Sequence, residues 1–459
     1  MKKMTEKLLD RVNLAEIGIE IPDLNRITTA LGSVANSAYS PPHDYPMSVP
    51  AFQSTPTAER TRPKTEKLRL YVHIPFCNYA CSYCFFAKRV GLGLPEMQRY
   101  LRALKQELAW VEPGTPLDQL FMGGGTPTAL PPELLDEVLS AIFERMPRDE
   151  SKVHTVETSP ESISPEHIEV LRKHQIGRVS MGIQTLEQQV LDTVNRRHSA
   201  EEALAACKLL AESGLIVNID LIYGLPGQTY ASFRQNFEAI ASQGIHAFTL
   251  YNLRTNERTP ITKFIEENER WNLERLISWR AFVKKTAEEF GFTQTRWHTF
   301  KRLNTIAAKH DRAPCFNPDG MGYQLGIGVS ARSQLGYALY RNTQQFNTYL
   351  ERVENGNSPV EETIPLNLGD RKTQFIARSI GDGKSLNRSI YQQAFGSSIE
   401  EDFGETIQRL HDNKVIEDDG THLYLSESGK LVYDLVVACF YPQHAIEWLQ
   451  QKDKSLLTA

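Results

Sequence analysis

Residues 71–85 read Tyr-Val-His-Ile-Pro-Phe-Cys-Asn-Tyr-Ala-Cys-Ser-Tyr-Cys-Phe, which places Cys77, Cys81 and Cys84 at the spacing C-x3-C-x2-C. Three thiolates in one short loop can hold three irons of a cubane 4Fe–4S cluster and leave the fourth iron without a protein ligand. An open metal position of that kind can chelate a small molecule through an amine and a carboxylate. Metal-binding sulfur must be deprotonated and reachable, so a loop carrying three cysteines is a costly arrangement without a metal. The alternatives are three reduced structural cysteines or a zinc site short of one ligand.

The loop follows an apolar, β-branched run, LRLYVHI (68–74), and the same kind of run recurs along the chain. QLFMGG (119–124), HTVETS (154–159), RVSMGI (178–183), VNIDLIYG (217–224) and AFTLYNL (247–253) read as strands. Helical stretches lie between them, among them 95–111, 131–146 and 200–214. Strands separated by helix-length connections predict an α/β fold with parallel strands, curling into an open, partial (β/α)6 barrel. The cysteine loop and a Gly123-Gly124-Gly125-Thr126-Pro127 block both follow strand C-termini, where barrel active sites form. Glycines there let a backbone approach a ligand's charged ends, although a lone Gly-Gly-Gly is more often a plain turn. Another strand-like block spans 323–336. Beyond about Pro365 the pattern changes to short helices and a hairpin, IEDDGTHLYLSESG (416–429), a small α+β, winged-helix-like unit. The expected domains are 1–66, an N-terminal helix and irregular Pro-rich arm; 67–340, the barrel; and 341–459, a C-terminal domain covering the substrate.

Composition fits an enzyme with a large core. The chain has 459 residues and a net charge of −5 with both signs mixed, so nothing favours nucleic acid or an anionic membrane. Six cysteines in this length make no disulfide framework, and cluster thiolates demand a reducing compartment. No stretch reaches the ~20 apolar residues of a membrane span. The start, MKKMTEKLLDRVNLAEIGIE, lacks a signal peptide's apolar core, so a cytoplasmic location is expected.

The motif YVHIPFC (71–77), then GGGTP (123–127), then NIDLIYGLP (218–226), in that order, resembles the radical S-adenosylmethionine (SAM) superfamily. More narrowly the chain is similar to the HemN-like branch around oxygen-independent coproporphyrinogen III oxidase. The resemblance covers about residues 68–340 well and the remainder loosely. Two departures narrow it further. The decarboxylase pattern adds a fourth cysteine two residues after the third, and here that position is Phe86. A related haem chaperone carries HN-x-x-YW, where this chain has Trp297-His298-Thr-Phe-Lys-Arg. The Pro-rich arm, CSYCFF (81–86) and RTNERTP (254–260) look most like the anaerobic haem-degrading radical SAM methyltransferases of the ChuW/HutW family.

That resemblance implies a cluster on Cys77, Cys81 and Cys84, reductive SAM cleavage to a 5′-deoxyadenosyl radical, and a second SAM as methyl donor. The substrate would be haem, opened to a linear tetrapyrrole with release of iron and without oxygen. Implied partners are a flavodoxin-like or flavin reductase electron donor and a tetrapyrrole-accepting protein, with no nucleic acid and no membrane. Carried over residue by residue, Gly124, Gly125 and Thr126 would bind the SAM amino group, and Tyr71 and Tyr83 would stack on adenine. Glu157, Gln184, Arg196 and Asp220 would contact one or two SAM molecules, and Asn252 and Arg332 join them through looser motifs. Read without the resemblance, these are ordinary rim polar residues and core tyrosines. Cys207 and Cys439 lie in apolar helical runs and read as core. Cys315 reads as a loop residue, His73 as structural, and His298 and His310 as candidate haem-iron ligands.

Overall fold

The computed structural model describes residues 14–36, 67–254, 259–265, 269–309 and 323–457. The Pro-rich arm, His310, Cys315 and most of the 254–260 block lie outside the described residues.

Six parallel strands form the centre: β1 (Leu68–Ile74), β2 (Leu117–Gly124), β3 (Thr155–Thr158), β4 (Arg178–Gln184), β5 (Ile216–Tyr223) and β6 (Ala247–Asn252). They neighbour one another in chain order, as right-handed βα units require. The connecting helices include Leu94–Leu108, Pro132–Arg145, Pro165–Lys173, Ala200–Ala211 and Tyr230–Ala241. Local sequence sets their starts: prolines stand in the first turn of the first three, and Ser199 with Glu202 closes a capping box on the fourth.

Both edges of the sheet are extended. Beyond β6 come β7 (Thr293–Arg296) and β8 (Thr299–Lys301), antiparallel, in the order β6-β8-β7. Beyond β1 come β9 (Gln324–Ile327), parallel, and then antiparallel β10 (Arg332–Leu335), β11 (Ala338–Asn342) and β12 (Val360–Pro365). The two ends, β7 and β12, do not pair, so the barrel is partial. The boundary expected at 340 falls inside β11, and the sheet continues to Pro365.

Strand alternation separates the two faces. On β1, Leu68, Leu70, Val72 and Ile74 are fully buried in the core, which leaves Arg69, Tyr71 and His73 on the interior face. On β2, Leu120 and Met122 join the core, and Gln119, Phe121 and Gly123 face inward. The interior face is therefore free to be polar without opening the core.

The C-terminal part has helices Leu368–Ser379, Arg388–Phe395 and Ile399–Asp412, then a hairpin, Ile416–Asp418 with His422–Leu425, which Leu386–Asn387 joins as a third strand. It is pinned to the barrel by a buried ion pair. Arg280, on the helix Leu273–Glu289, donates to Asp434 through Nη1 (2.9 Å) and Nη2 (2.7 Å). Trp297 Nε1 donates to the Ile380 carbonyl nearby. The N-terminal helix Leu24–Leu31 docks on the same part, where Arg409 Nε donates to Ala30 O at 2.9 Å. No helix among the described residues is long and apolar enough to cross a membrane.

Removing one partner of a buried pair strands the other charge, so Asp434→Ala is expected to cost about 3–5 kcal/mol. Urea unfolding would show this as a lower midpoint, with the far-UV circular dichroism of the folded protein unchanged.

Candidate active site at the strand ends

Two backbones approach each other at the C-terminal ends of β1 and β2. Gly125 N donates to Ile74 O (2.8 Å) and Thr126 N to Phe76 O (2.7 Å). A Cβ on Gly125 would lie 2.6 Å from Phe76 O and 2.8 Å from Pro75 C, so no side chain fits there. Gly124 adopts φ +110°, and a Cβ on it would meet the His73 ring at 2.5 Å. Its N–H donates to Glu157 Oε2 at 3.2 Å. Gly124, Gly125, Thr126 and Glu157 are thus gathered beside the cysteine loop.

His73 fixes that loop from beneath. Its Nε2 donates to Ala87 O (2.9 Å), and its Nδ1 accepts from the Tyr71 hydroxyl (3.1 Å). Burial lowers its pKa to about 4, so the ring is a neutral strut. Tyr71 stacks on Phe121 with ring centroids 6.2 Å apart. The far side of the loop is tied by Asn195 Nδ2 to Ala80 O (2.6 Å) and by Ser82 N to Val194 O (3.0 Å).

Cys77, Cys81 and Cys84 are half-buried and form no disulfide. Burial pushes the Cys77 thiol up to about 11 and also raises Cys84, each feeling the charge of its fellow cysteines. Polar groups point at the sulfurs: Thr126 Oγ1 lies 4.0 Å from Cys77 Sγ, and Arg196 Nη1 lies 3.7 Å from Cys81 Sγ. Among the described residues no three of His, Cys, Asp or Glu are arranged to hold a single metal ion. Three thiols on one short loop, each offering one sulfur, are the donor set that a multi-iron cluster takes.

Arg196 brings a second group together. Its Nη2 donates to Gly182 O, and its guanidinium lies 5.6 Å from the centre of the Tyr79 ring. Burial opposes its charge, but Tyr83, Cys81, Tyr79 and Glu161 hold it cationic. Tyr83 is half-buried beside Cys81 and Arg196, and burial raises its hydroxyl well above the usual range. Behind them, Arg196 Nε, Glu161 Oε2 and His198 Nε2 are buried without hydrogen-bond partners.

Asp220 belongs to a third group, on the interior face of β5. Ser180 Oγ donates to it at 3.2 Å and Asn218 Nδ2 at 2.7 Å, while Asn218 also donates to Thr249 Oγ1 at 2.9 Å. Burial raises the Asp220 carboxyl to about 6, against the opposing pull of Arg178 and these donors. Gln184 ends β4 in the left-handed region (φ 73°), a conformation rare for a side-chain-bearing residue. Asn252 ends β6, buried, opposite Tyr223 of β5. Arg332 opens β10, half-buried, and its carbonyl packs so tightly on Gly326 that a Cβ there would lie 2.3 Å away. Asn252 therefore ends the strand beside that of Asp220, and Arg332 stands on the opposite flank of the strand-end arc.

His298 lies on the turn between β7 and β8, half-buried, stacked on Tyr251 at 5.2 Å. Cys207 and Cys439 are core residues, both pushed up to about 12 by burial. The sequence reading missed Ser180, Asn218 and Thr249, although Asn218 and Asp220 stand two apart in an otherwise apolar strand. It also missed Tyr79, Glu161 and His198, which come from separate segments with no local signal.

A carboxyl raised in the folded state binds protons that the unfolded chain releases, so its burial costs stability as pH rises from about 4 through about 6. Asp220→Asn is therefore expected to raise the melting temperature of the ligand-free protein at pH 7.5, with the gain vanishing near pH 4, as differential scanning calorimetry would show.

Residues 71–240 match the radical SAM superfamily. The chain is 25% identical over 378 residues to the heme chaperone HemW of Bacillus subtilis, covering 81% of this chain and 98% of that protein. It is 25% identical over 438 residues to the oxygen-independent coproporphyrinogen III oxidase of Pseudomonas aeruginosa, covering 86% and 94%. The structure of Escherichia coli coproporphyrinogen III oxidase HemN, a radical SAM enzyme, aligns with TM-score 0.72 at 25% identity over 83% of this chain and 91% of that one. Sequence motif, strand order and relatives point the same way: residues 71–240 match the radical SAM superfamily, and the relatives above are a HemW haem chaperone and HemN-type coproporphyrinogen III oxidases.

Proposed function

We propose that this chain is a radical SAM methyltransferase that degrades haem without oxygen, methylating and opening the porphyrin to a linear tetrapyrrole and releasing its iron. The observation carrying the reading is the cysteine loop itself. It keeps Cys77, Cys81 and Cys84 but has Phe86 where the decarboxylase pattern has its fourth cysteine, and Phe86 and its neighbour Phe85 are both more than half exposed.

When bound, a 4Fe–4S cluster on the three thiolates supplies the electron that cleaves the sulfonium of SAM. The chain's own residues bind and orient. The Gly124–Thr126 backbone and Glu157 lie where they can receive the amino group and ribose of one SAM, and Arg196, held at Cys81 by Gly182 O, can clamp its carboxylate. Tyr83 supplies a ring beside the same sulfur. Asp220, with Ser180 and Asn218 orienting it, can face the ribose or sulfonium of a second SAM, and Gln184 and Asn252 end the strands on either side of β5. Tyr71 lines the interior floor, and Arg332 and His298, at the flanks, would face the substrate. Electrons would come from a flavodoxin-like or flavin reductase partner, and the product would pass to a tetrapyrrole-accepting protein. The relatives favour a second reading, coproporphyrinogen decarboxylation or haem delivery.

An anaerobic assay of the reconstituted protein with haem, SAM and reductant separates these. Haem loss with a methylated open-chain product supports the proposal; vinyl formation from coproporphyrinogen, or stable haem binding without turnover, replaces it. Cys81→Ala is expected to abolish turnover and cluster absorbance together, whereas Cys207→Ala should retain both.

A further inference from the structure

We propose that Glu161 and His198 are positioning residues for Arg196: together with the Tyr79 ring they hold its guanidinium in the pose that clamps the carboxylate of SAM. This inference rests on the SAM-binding reading above and names the groups that make the clamp selective for a carboxylate. The need comes from burial. Arg196 is 8% exposed, and a cation is kept in the interior only where other groups answer it. Its Nη2 is spent on Gly182 O, and its Nη1 lies 3.7 Å from Cys81 Sγ. Its Nε is buried with no hydrogen-bond partner. The guanidinium lies over the Tyr79 ring, 5.6 Å from its centre.

Three segments distant in sequence meet at that ring. The Tyr79 hydroxyl lies 3.5 Å from Nδ1 of His198, a fully buried side chain, and Glu161 Oε2 lies 3.8 Å from the same nitrogen. Ser159 Oγ donates to Glu161 Oε1 at 2.7 Å and lies 2.9 Å from Ser162 Oγ, which in turn lies 2.6 Å from Thr128 Oγ1. Thr128 directly follows the Gly123–Pro127 block. A chain of hydroxyls therefore fastens Glu161 to the wall that begins at the glycines.

Charge gives the cluster its role. Burial and the neighbouring Arg196 lower the His198 pKa to about 3, so its ring is neutral. The cation whose charge the Glu161 carboxylate favours is Arg196. Glu161 Oε2 and His198 Nε2 are, like Arg196 Nε, buried without hydrogen-bond partners. Polar atoms left in that state cost the fold stability, so the cluster is kept for what it does to Arg196. A guanidinium already fixed by Gly182 O and by these groups meets a ligand carboxylate with little ordering left to do.

The test is calorimetric titration of the full-length, cluster-loaded protein, held without reductant, with SAM and with decarboxylated SAM, which lacks only the carboxylate. Glu161→Gln still accepts from Ser159 but carries no charge. It should bind SAM about tenfold more weakly while binding the decarboxylated analogue like wild type. His198→Phe, which keeps a ring of similar size, should show a smaller loss with the same selectivity. Both positions lie outside the cysteine loop, so cluster absorbance should stay at the wild-type value. Equal losses for the two ligands overturn the proposal, because a general loosening of the site does not distinguish them. So does unchanged or tighter SAM binding, which a guanidinium freed from a competing carboxylate would give. Should Glu161→Gln fail to load its cluster, His198→Phe carries the comparison; failure of both to load overturns the proposal by assigning these residues to the folding of the loop. A wild-type protein that binds the two ligands equally overturns the Arg196 clamp and the proposal with it, and one that binds neither overturns the SAM reading itself.

Discussion

The close approach of the Ile74–Phe76 and Gly123–Gly125 backbones is the constraint on which the rest of the site depends. Two hydrogen bonds of 2.8 and 2.7 Å join them, and no Cβ can be placed on Gly125 between them. That contact sets the cysteine loop against β2, and through Gly124 it also sets the loop against Glu157 on β3. His73 completes the clamp by holding Ala87 from the interior face. A loop meant to present three sulfurs and an open coordination position cannot also be mobile, since a displaced ligand atom costs catalysis steeply. Here rigidity comes from backbone contacts and one neutral histidine, which leaves the sulfurs themselves uncommitted.

The interior face bears a cost that this geometry explains. Asp220 is held in a setting that raises its carboxyl to about 6, and Arg196 is buried without an ion-pair partner among the described residues. Buried ionisable groups of this kind are unfavourable in a protein that binds nothing and expected in one that binds a zwitterionic, cationic cofactor. They stand on β5 and on the segment following β4, brought to one mouth only because parallel strands end together.

Much of this was legible in the sequence, for physical reasons. Most of the central strands announce themselves as apolar runs, several of them β-branched, because parallel strands are covered by helices on their outer face. The motif residues stand immediately after such runs, so their position at strand ends could be read directly. The edge strands were harder. TQTR, TFK and VEETIP are short and polar because they close the sheet against solvent, and nothing in their composition distinguishes them from loop. The residues gathered around Arg196 come from positions 79, 161 and 198, a convergence that only the folded chain creates. The exposure of Phe85 and Phe86 was equally hidden, since two consecutive phenylalanines usually denote core.

The central claim is that Cys77, Cys81 and Cys84 hold a cluster with one iron open to SAM. Mössbauer spectroscopy of the iron-57-reconstituted protein, recorded anaerobically with and without SAM, tests it most directly. The account predicts a 4Fe–4S spectrum in which a single iron changes its parameters when SAM is added, and loss of that spectrum in Cys84→Ala. A protein that takes up zinc alone, or a cluster whose irons are all indifferent to SAM, would contradict it.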